Sequence, residues 1–193
     1  MSRYRKHLPQ LDGPLFLADG GLETTLIFHE GMELPCFASF LLLKDEAGRA
    51  ALRRYFAAYA TIARDNGTGL VLETPTWRAN PDWGAKLGYD AGALDDANRK
   101  SISLLLEVRA EFETPATPIV VSGNLGPRGD GYQPSARMSA DAARAYHARQ
   151  VPTNGGGIPP EIRWEPLHEL EVGFSSGAIR PHRRERVRAG RAR

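Results

Sequence analysis

Three short apolar runs, each stopped abruptly by glycine or polar residues, constrain this chain more than any other feature. Leu15-Phe16-Leu17-Ala18 ends in Asp19-Gly20-Gly21, Leu70-Val71-Leu72 ends in Glu73-Thr74-Pro75-Thr76-Trp77, and Ile119-Val120-Val121 ends in Ser122-Gly123. Runs this short and unbroken read as buried strands of a parallel sheet covered by helices. Two helical stripes lie between them. Leu52, Tyr55, Phe56, Tyr59, Ile62 and Ala63 recur at helical spacing from near Asp45 to the cap Asn66-Gly67. Behind the N-cap Asp90, and after a loop containing Asn80-Pro81-Asp82 and Gly88, Leu94, Ala97, Ile102, Leu105, Val108 and Phe112 do the same. Ser139 heads a third helix through Ala142, Ala145 and Tyr146. The fold class is α/β, with about three strand–loop–helix units.

The pattern stops near Val151. Pro152, Asn154-Gly155-Gly156-Gly157, Pro159-Pro160 and Pro166 break any helix, and no fourth apolar strand follows. Residues 10–150 are therefore expected to form the folded part, and residues 151–193 a Gly/Pro/Arg-rich tail without a packed core. Charge divides at the same place. Eight arginines and five glutamates in 151–193 leave residues 1–150 with 17 basic and 18 acidic side chains, so the tail alone makes the chain basic.

Composition narrows the classes further. One cysteine in 193 residues excludes a disulfide framework and any self-contained cysteine-rich zinc module. No run of about 18 apolar residues is present, so no membrane-spanning helix is expected. The basic start, Met1–Lys6, is not followed by an apolar signal core, and a cytoplasmic location is expected. The arginine-rich end lacks aromatic interleaving, which reads as a solvated charge run rather than a specific nucleic-acid binder.

Candidate chemistry sits at the strand ends, where α/β sheets bind ligands. Asp19 with Gly20 offers a carboxylate and closely approachable backbone amides, or else a simple tight turn. Glu73, Thr74, Thr76 and Trp77 suit a small polar substrate, or else cap a strand. Gly123, Gly126, Gly129 and Gly131 do not follow the dinucleotide-binding order, and the Arg128-Gly129-Asp130 tripeptide is a chance match to an adhesion motif. Cys36, in Leu34-Pro35-Cys36-Phe37, is expected to be a quiet buried thiol. His29 lies near the Asp19 loop as a surface or structural side chain. His7, His147, His168 and His182 show no metal-ligand spacing.

Leu17-Ala18-Asp19-Gly20-Gly21-Leu22-Glu23-Thr24, Glu73-Thr74-Pro75-Thr76-Trp77-Arg78-Ala79-Asn80-Pro81 and Ser122-Gly123-Asn124-Leu125-Gly126-Pro127-Arg128-Gly129-Asp130-Gly131-Tyr132 together resemble the homocysteine S-methyltransferase family, across roughly residues 10–150. The resemblance implies part of a (β/α)8 TIM barrel and methyl transfer to the homocysteine thiol, giving methionine. It implies a zinc ion on three cysteines that holds the substrate sulfur as a thiolate, the form that attacks a methyl donor. It assigns the amino acid end of homocysteine to Asp19 and Gly20, with Thr74 assisting and Glu73 adjacent; Trp77 or Tyr132 is expected to shape a wall of the partial pocket.

The chain departs from that pattern in ways that matter. The family's zinc cysteines lie on later strands, one near the sixth and an adjacent pair near the eighth, and Cys36 matches none of them. A full barrel takes about 250 residues, and three units leave a sheet edge and an apolar helix face bare. The expectation is a truncated, inactive form that binds no zinc, its tail arising from a shifted reading frame. The rival is a short protein completed by self-association through the open sheet edge. The alternative function is a small-molecule (amino acid) binding module without catalysis.

Overall fold

The computed structural model describes residues 4, 7–131 and 138–153. Tyr132 and residues 154–193, on which expectations about a site wall and a tail fall, lie outside the described residues. Strand β1 (Phe16–Ala18) leads into α1 (Leu22–Thr24), which continues as a wider helical turn, Thr25–His29. Two 3-10 turns, Pro35–Phe37 and Ser39–Lys44, deliver the chain to α2 (Glu46–Asp65), and β2 (Gly69–Glu73) follows. Next come α3 (Pro81–Lys86), α4 (Ala91–Phe112), β3 (Ile119–Ser122), α5 (Ala140–His147) and α6 (Gln150–Thr153).

The three strands form one parallel sheet in the order β1-β2-β3. The architecture is mixed α/β. Leu17 lies beside Leu70 and Leu70 beside Ile119, while Leu72 lies beside Val121. These residues point to one face, where Leu70, Leu72 and Ile119 are completely buried against α2 and α4. Phe56 and Leu52 of α2 and Leu104, Leu105 and Val108 of α4 complete that layer. Each such side chain contributes about 1.5–3 kcal/mol of burial. On the opposite face Val71 is half-buried and Ala18 is exposed. Helices thus cover the middle of one face, with Leu17 and Val121 half-buried at its margins, while Val120 is buried on the other.

The helix starts follow the sequence signals. Asp45, Asp90 and Ser139 each accept a hydrogen bond from the backbone N–H three residues on, at 2.9, 2.8 and 3.2 Å. At the far end of α2, Gly67 takes φ +60°, the left-handed geometry glycine adopts without strain. No helix among the described residues is long and apolar enough to cross a membrane.

Four expectations are corrected. β1 is not buried; it is an edge strand with β2 as its sheet neighbour, its residues are half-buried or exposed, and Leu15 before it is 61% exposed. Cys36 is exposed, because Pro35–Phe37 turns with Cys36 at φ +57° and Phe37 at φ +55°. That turn buries the flanking Leu34 and Ala38 and leaves the thiol outside. The loop after β2 contains α3, capped by the Asn80 side chain accepting from Trp83 N at 3.3 Å. Helical structure also runs past Val151 to Thr153, since a proline in the first turn of a helix lacks only an N–H that would have no partner there.

Gly48 gives the fold its most specific test. A Cβ there would fall 2.3 Å from the Leu42 carbonyl oxygen, where α2 crosses the Ser39–Lys44 turn. In an open helix, glycine to alanine stabilises by about 1 kcal/mol. Here Gly48→Ala is expected to destabilise by about 1–3 kcal/mol in urea unfolding, because backbone must move. A stabilised variant would contradict this packing.

Candidate functional site

Parallel pairing brings the ends of β1, β2 and β3 to one edge. Ala18 lies beside Val71, so Asp19 lies level with Leu72, one residue short of Glu73. Two tyrosines one helical turn apart on α2 reach this turn. The Tyr55 hydroxyl is 2.9 Å from the Gly20 carbonyl and 3.2 Å from Asp19 Oδ2. The Tyr59 hydroxyl donates to the same Gly20 carbonyl at 3.0 Å. Asp19 Oδ1 is buried and accepts no hydrogen bond of good geometry among the described residues.

Burial is the main force on Asp19, and the Glu73 carboxylate adds to it. Together they push its pKa up to about 6, against the opposing pull of the Tyr55 hydroxyl and nearby backbone amides. Glu73 is also raised, by the partial burial of its carboxyl group, although much of the residue faces solvent. Its Oε2 accepts from Asn124 Nδ2 at 3.3 Å. Burial likewise raises Tyr55 far above the ordinary phenol range, so Tyr55 remains a donor. The result is a pair of carboxyl groups poised to gain from a positively charged partner.

Behind this pair, three residues close a ring of hydrogen bonds. Asn124 N donates to Thr74 Oγ1 at 2.8 Å, and Thr76 Oγ1 donates to the Asn124 carbonyl at 2.8 Å. The two threonine hydroxyls lie 2.7 Å apart. A carbonyl only accepts, so the Thr76 proton goes to Asn124 and the Thr74 proton must go to Thr76. Thr74 and Thr76 are buried, and each hydroxyl proton is committed to the ring. The ring fastens the second strand end to the third.

Farther out, Arg78 is buried between two indoles. Its guanidinium carbon lies 3.9 Å from the ring centres of both Trp77 and Trp83. Arg78 Nη1 and Trp83 Nε1 both donate to the Gly129 carbonyl, at 3.1 and 3.2 Å. Asn80 Nδ2 donates to the Pro127 carbonyl at 3.2 Å, and Asn80 Oδ1 accepts from Tyr146 at 2.9 Å. At Gly126 a Cβ would sit 1.8 Å from the Trp77 carbonyl oxygen, so only glycine permits this approach of the two loops. Gln150 adds a tie from α6, donating to the Thr76 carbonyl at 3.2 Å.

Asp19, Gly20 and Glu73 thus come together with Thr74 just behind. Trp77 stacks on Arg78. Cys36 and His29 are both exposed, and neither is bonded to the Asp19 turn. A cavity of about 120 Å³ lies elsewhere, between the β2 loop and the later helices, with Tyr89, Leu94, Asn98 and Gln150 on its walls. Sequence reading placed Tyr55 and Tyr59 in the core stripe and missed their hydroxyls. Their four-residue spacing, one turn apart on the helix, was the available signal. A zinc ion on three thiolates does not fit these residues: the chain has one cysteine, and among the described residues no three His, Cys, Asp or Glu side chains converge.

The raised Asp19 pKa has a thermodynamic consequence. The folded chain holds this proton up to about pH 6, whereas the ordinary value is 3.8. Between those values the folded state binds more protons, so stability falls as pH rises through that window. Asp19→Asn removes this contribution. In thermal unfolding the variant is expected to be more stable than the wild type above pH 6, with the gap closing below about pH 4. A gap independent of pH would show that Asp19 ionises normally.

Comparison with known proteins gives the family and the fold. The family model for homocysteine S-methyltransferase matches residues 16–158. Among solved structures, the homocysteine methyltransferase MmuM from Escherichia coli in its metallated form aligns with a TM-score of 0.58 and 22% identity, over 76% of this chain and 52% of that one. Its oxidized form aligns with the same score and identity, over 75% and 50%. The chain therefore spans about half the length of the solved structures it matches. No curated protein matched it by sequence. With well over half its residues inside the family model, the chain belongs to the homocysteine S-methyltransferase family.

Proposed function

We propose that this chain carries the amino-acid-binding end of a homocysteine S-methyltransferase site and, by itself, binds homocysteine without methylating it. The observation that carries the reading is Asp19: a buried, unused carboxylate oxygen beside a second carboxyl group, at a strand end inside the family match. An ammonium group arriving there relieves the repulsion between Asp19 and Glu73 and supplies the missing donor. Gly20 leaves the backbone open to the amino acid end, and Glu73 adds negative potential. Thr74 acts from behind, by holding Asn124 and the third strand end in place. Trp77, kept flat by Arg78, forms a wall.

Turnover requires the homocysteine sulfur as a thiolate, which zinc supplies in the family by Lewis-acid coordination. This chain's single cysteine does not provide that ligand set, so no methyl-transfer step is assigned to its residues. We read the three strand–helix units as the first part of a (β/α)8 barrel that begins near residue 10 and continues past residue 150, as the helical turn Gln150–Thr153 and the family match to residue 158 support. Among the described residues β1 and β3 end the sheet, each with β2 as its neighbour, which supports a second copy pairing at an open edge. A binding role in its own right, as an amino acid module, rests on the same pocket.

Calorimetric titration of the purified chain with homocysteine tests the proposal, with a methionine assay run in parallel. Saturable binding is expected, strengthening as pH rises through 6 because Asp19 must ionise. Asp19→Asn is expected to weaken it tenfold or more, the scale of a hydrogen bond to a charged group. Absence of binding at pH 7.5 would overturn the site, and methionine formation by the chain alone would overturn the inactive reading.

A further inference from the structure

The Asp19-Gly20 turn receives two phenolic protons and presents two acceptors to them. Tyr55 lies within reach of both acceptors, the Gly20 carbonyl at 2.9 Å and Asp19 Oδ2 at 3.2 Å, but has one proton. Tyr59 reaches the Gly20 carbonyl alone, at 3.0 Å. We infer that Tyr55 and Tyr59 act as a pair of positioning residues: Tyr59 satisfies the Gly20 carbonyl, which releases the Tyr55 proton to hold Asp19 as an oriented carboxylate with Oδ1 left for a ligand. The inference deepens the proposed binding role of Asp19 and rests on it for the identity of the ligand.

The geometry separates this arrangement from ordinary core packing. Both tyrosines project from one helix, one turn apart, with ring centres 5.1 Å apart, so the two rings are in contact and their hydroxyls reach the same turn. Tyr55 is buried and Tyr59 is half-buried at the rim. The titratable groups acting on Asp19 are Glu73 from β2 and Tyr55 from α2, with Tyr59 acting through Tyr55. The main influences on its ionisation are burial, Glu73, Tyr55 and backbone amides, and none of these is a cation. Glu73 opposes the Asp19 charge, and Tyr55 is the side chain that favours it. When Asp19 is protonated, Oδ2 loses its pull and the Tyr55 proton returns to Gly20. When Asp19 ionises, the proton crosses to Oδ2, and Tyr59 keeps the carbonyl satisfied.

The pairing has a consequence that simple contact lacks. Tyr59 makes no hydrogen bond to Asp19, yet its loss forces Tyr55 back onto the carbonyl. Both Tyr55→Phe and Tyr59→Phe should therefore raise the Asp19 midpoint. The experiment follows the Asp19 carboxyl by carbon-13 NMR from pH 4 to 9 in the full chain, with Asp19→Asn assigning the signal. An upward shift of about one pH unit is expected for Tyr55→Phe, and a smaller one in the same direction for Tyr59→Phe. An unmoved midpoint in Tyr59→Phe would overturn the division of protons, whatever Tyr55→Phe does. If Tyr55→Phe fails to fold, the half-exposed Tyr59→Phe decides alone. Because no ligand enters this titration, failure of homocysteine binding would reject the proposed function while leaving this result standing on its own.

Discussion

Because β1, β2 and β3 run parallel and in register, every polar segment that follows a strand leaves the sheet at the same edge. That edge is where Asp19, Glu73, Thr74 and Asn124 meet, although they are separated by up to about a hundred positions along the chain. Nothing local in the sequence would bring Asp19 within electrostatic reach of Glu73. Hydrophobic pairing of Leu17, Leu70 and Ile119 does so, and burial against α2 and α4 makes it rigid. The chemistry of the site is a by-product of how the core is ordered.

The strand-end site then shows a clear division of labour. Glu73 is exposed and Asp19 is half-buried beside it with Oδ1 buried, an arrangement that disfavours two negative charges. The Thr74 and Thr76 hydroxyls are buried and exchange hydrogen bonds with each other and with the Asn124 backbone. A third layer, Trp77, Arg78, Trp83 and Asn80, straps the second loop to the third through the carbonyls of Gly129 and Pro127. Holding a raised carboxyl group opposes folding, and such sites are a common place for a protein to trade stability for binding.

Much of this was legible in the sequence. Strand ends, helix caps and the two long helices follow from short-range signals: Asp45, Asp90 and Ser139 act within one turn of themselves. The carboxylates and threonines were legible for a similar reason, since a polar residue directly after an apolar strand has few places to go. What the sequence hid depends on contacts between distant segments or on side-chain tips. Tyr55 and Tyr59 look like core residues because their rings are, while their hydroxyls extend past the core to the first loop. Nothing in the sequence marks Arg78 as buried, and in the fold two indoles and a carbonyl surround it. Cys36 reads as buried from its apolar neighbours, and two successive left-handed residues turn it outward. The stop placed at Val151 missed a helical turn that Gln150 anchors to the second loop.

The proposed binding role of the strand-end site turns on an amino acid's ammonium group docking on Asp19. A crystal structure of the full chain with homocysteine, grown above pH 7, tests it most directly. The ligand nitrogen is expected within hydrogen-bonding distance of one Asp19 carboxylate oxygen, with Tyr55 still holding the other. Homocysteine seated elsewhere, or an Asp19 carboxylate left without a ligand contact at saturation, would contradict it.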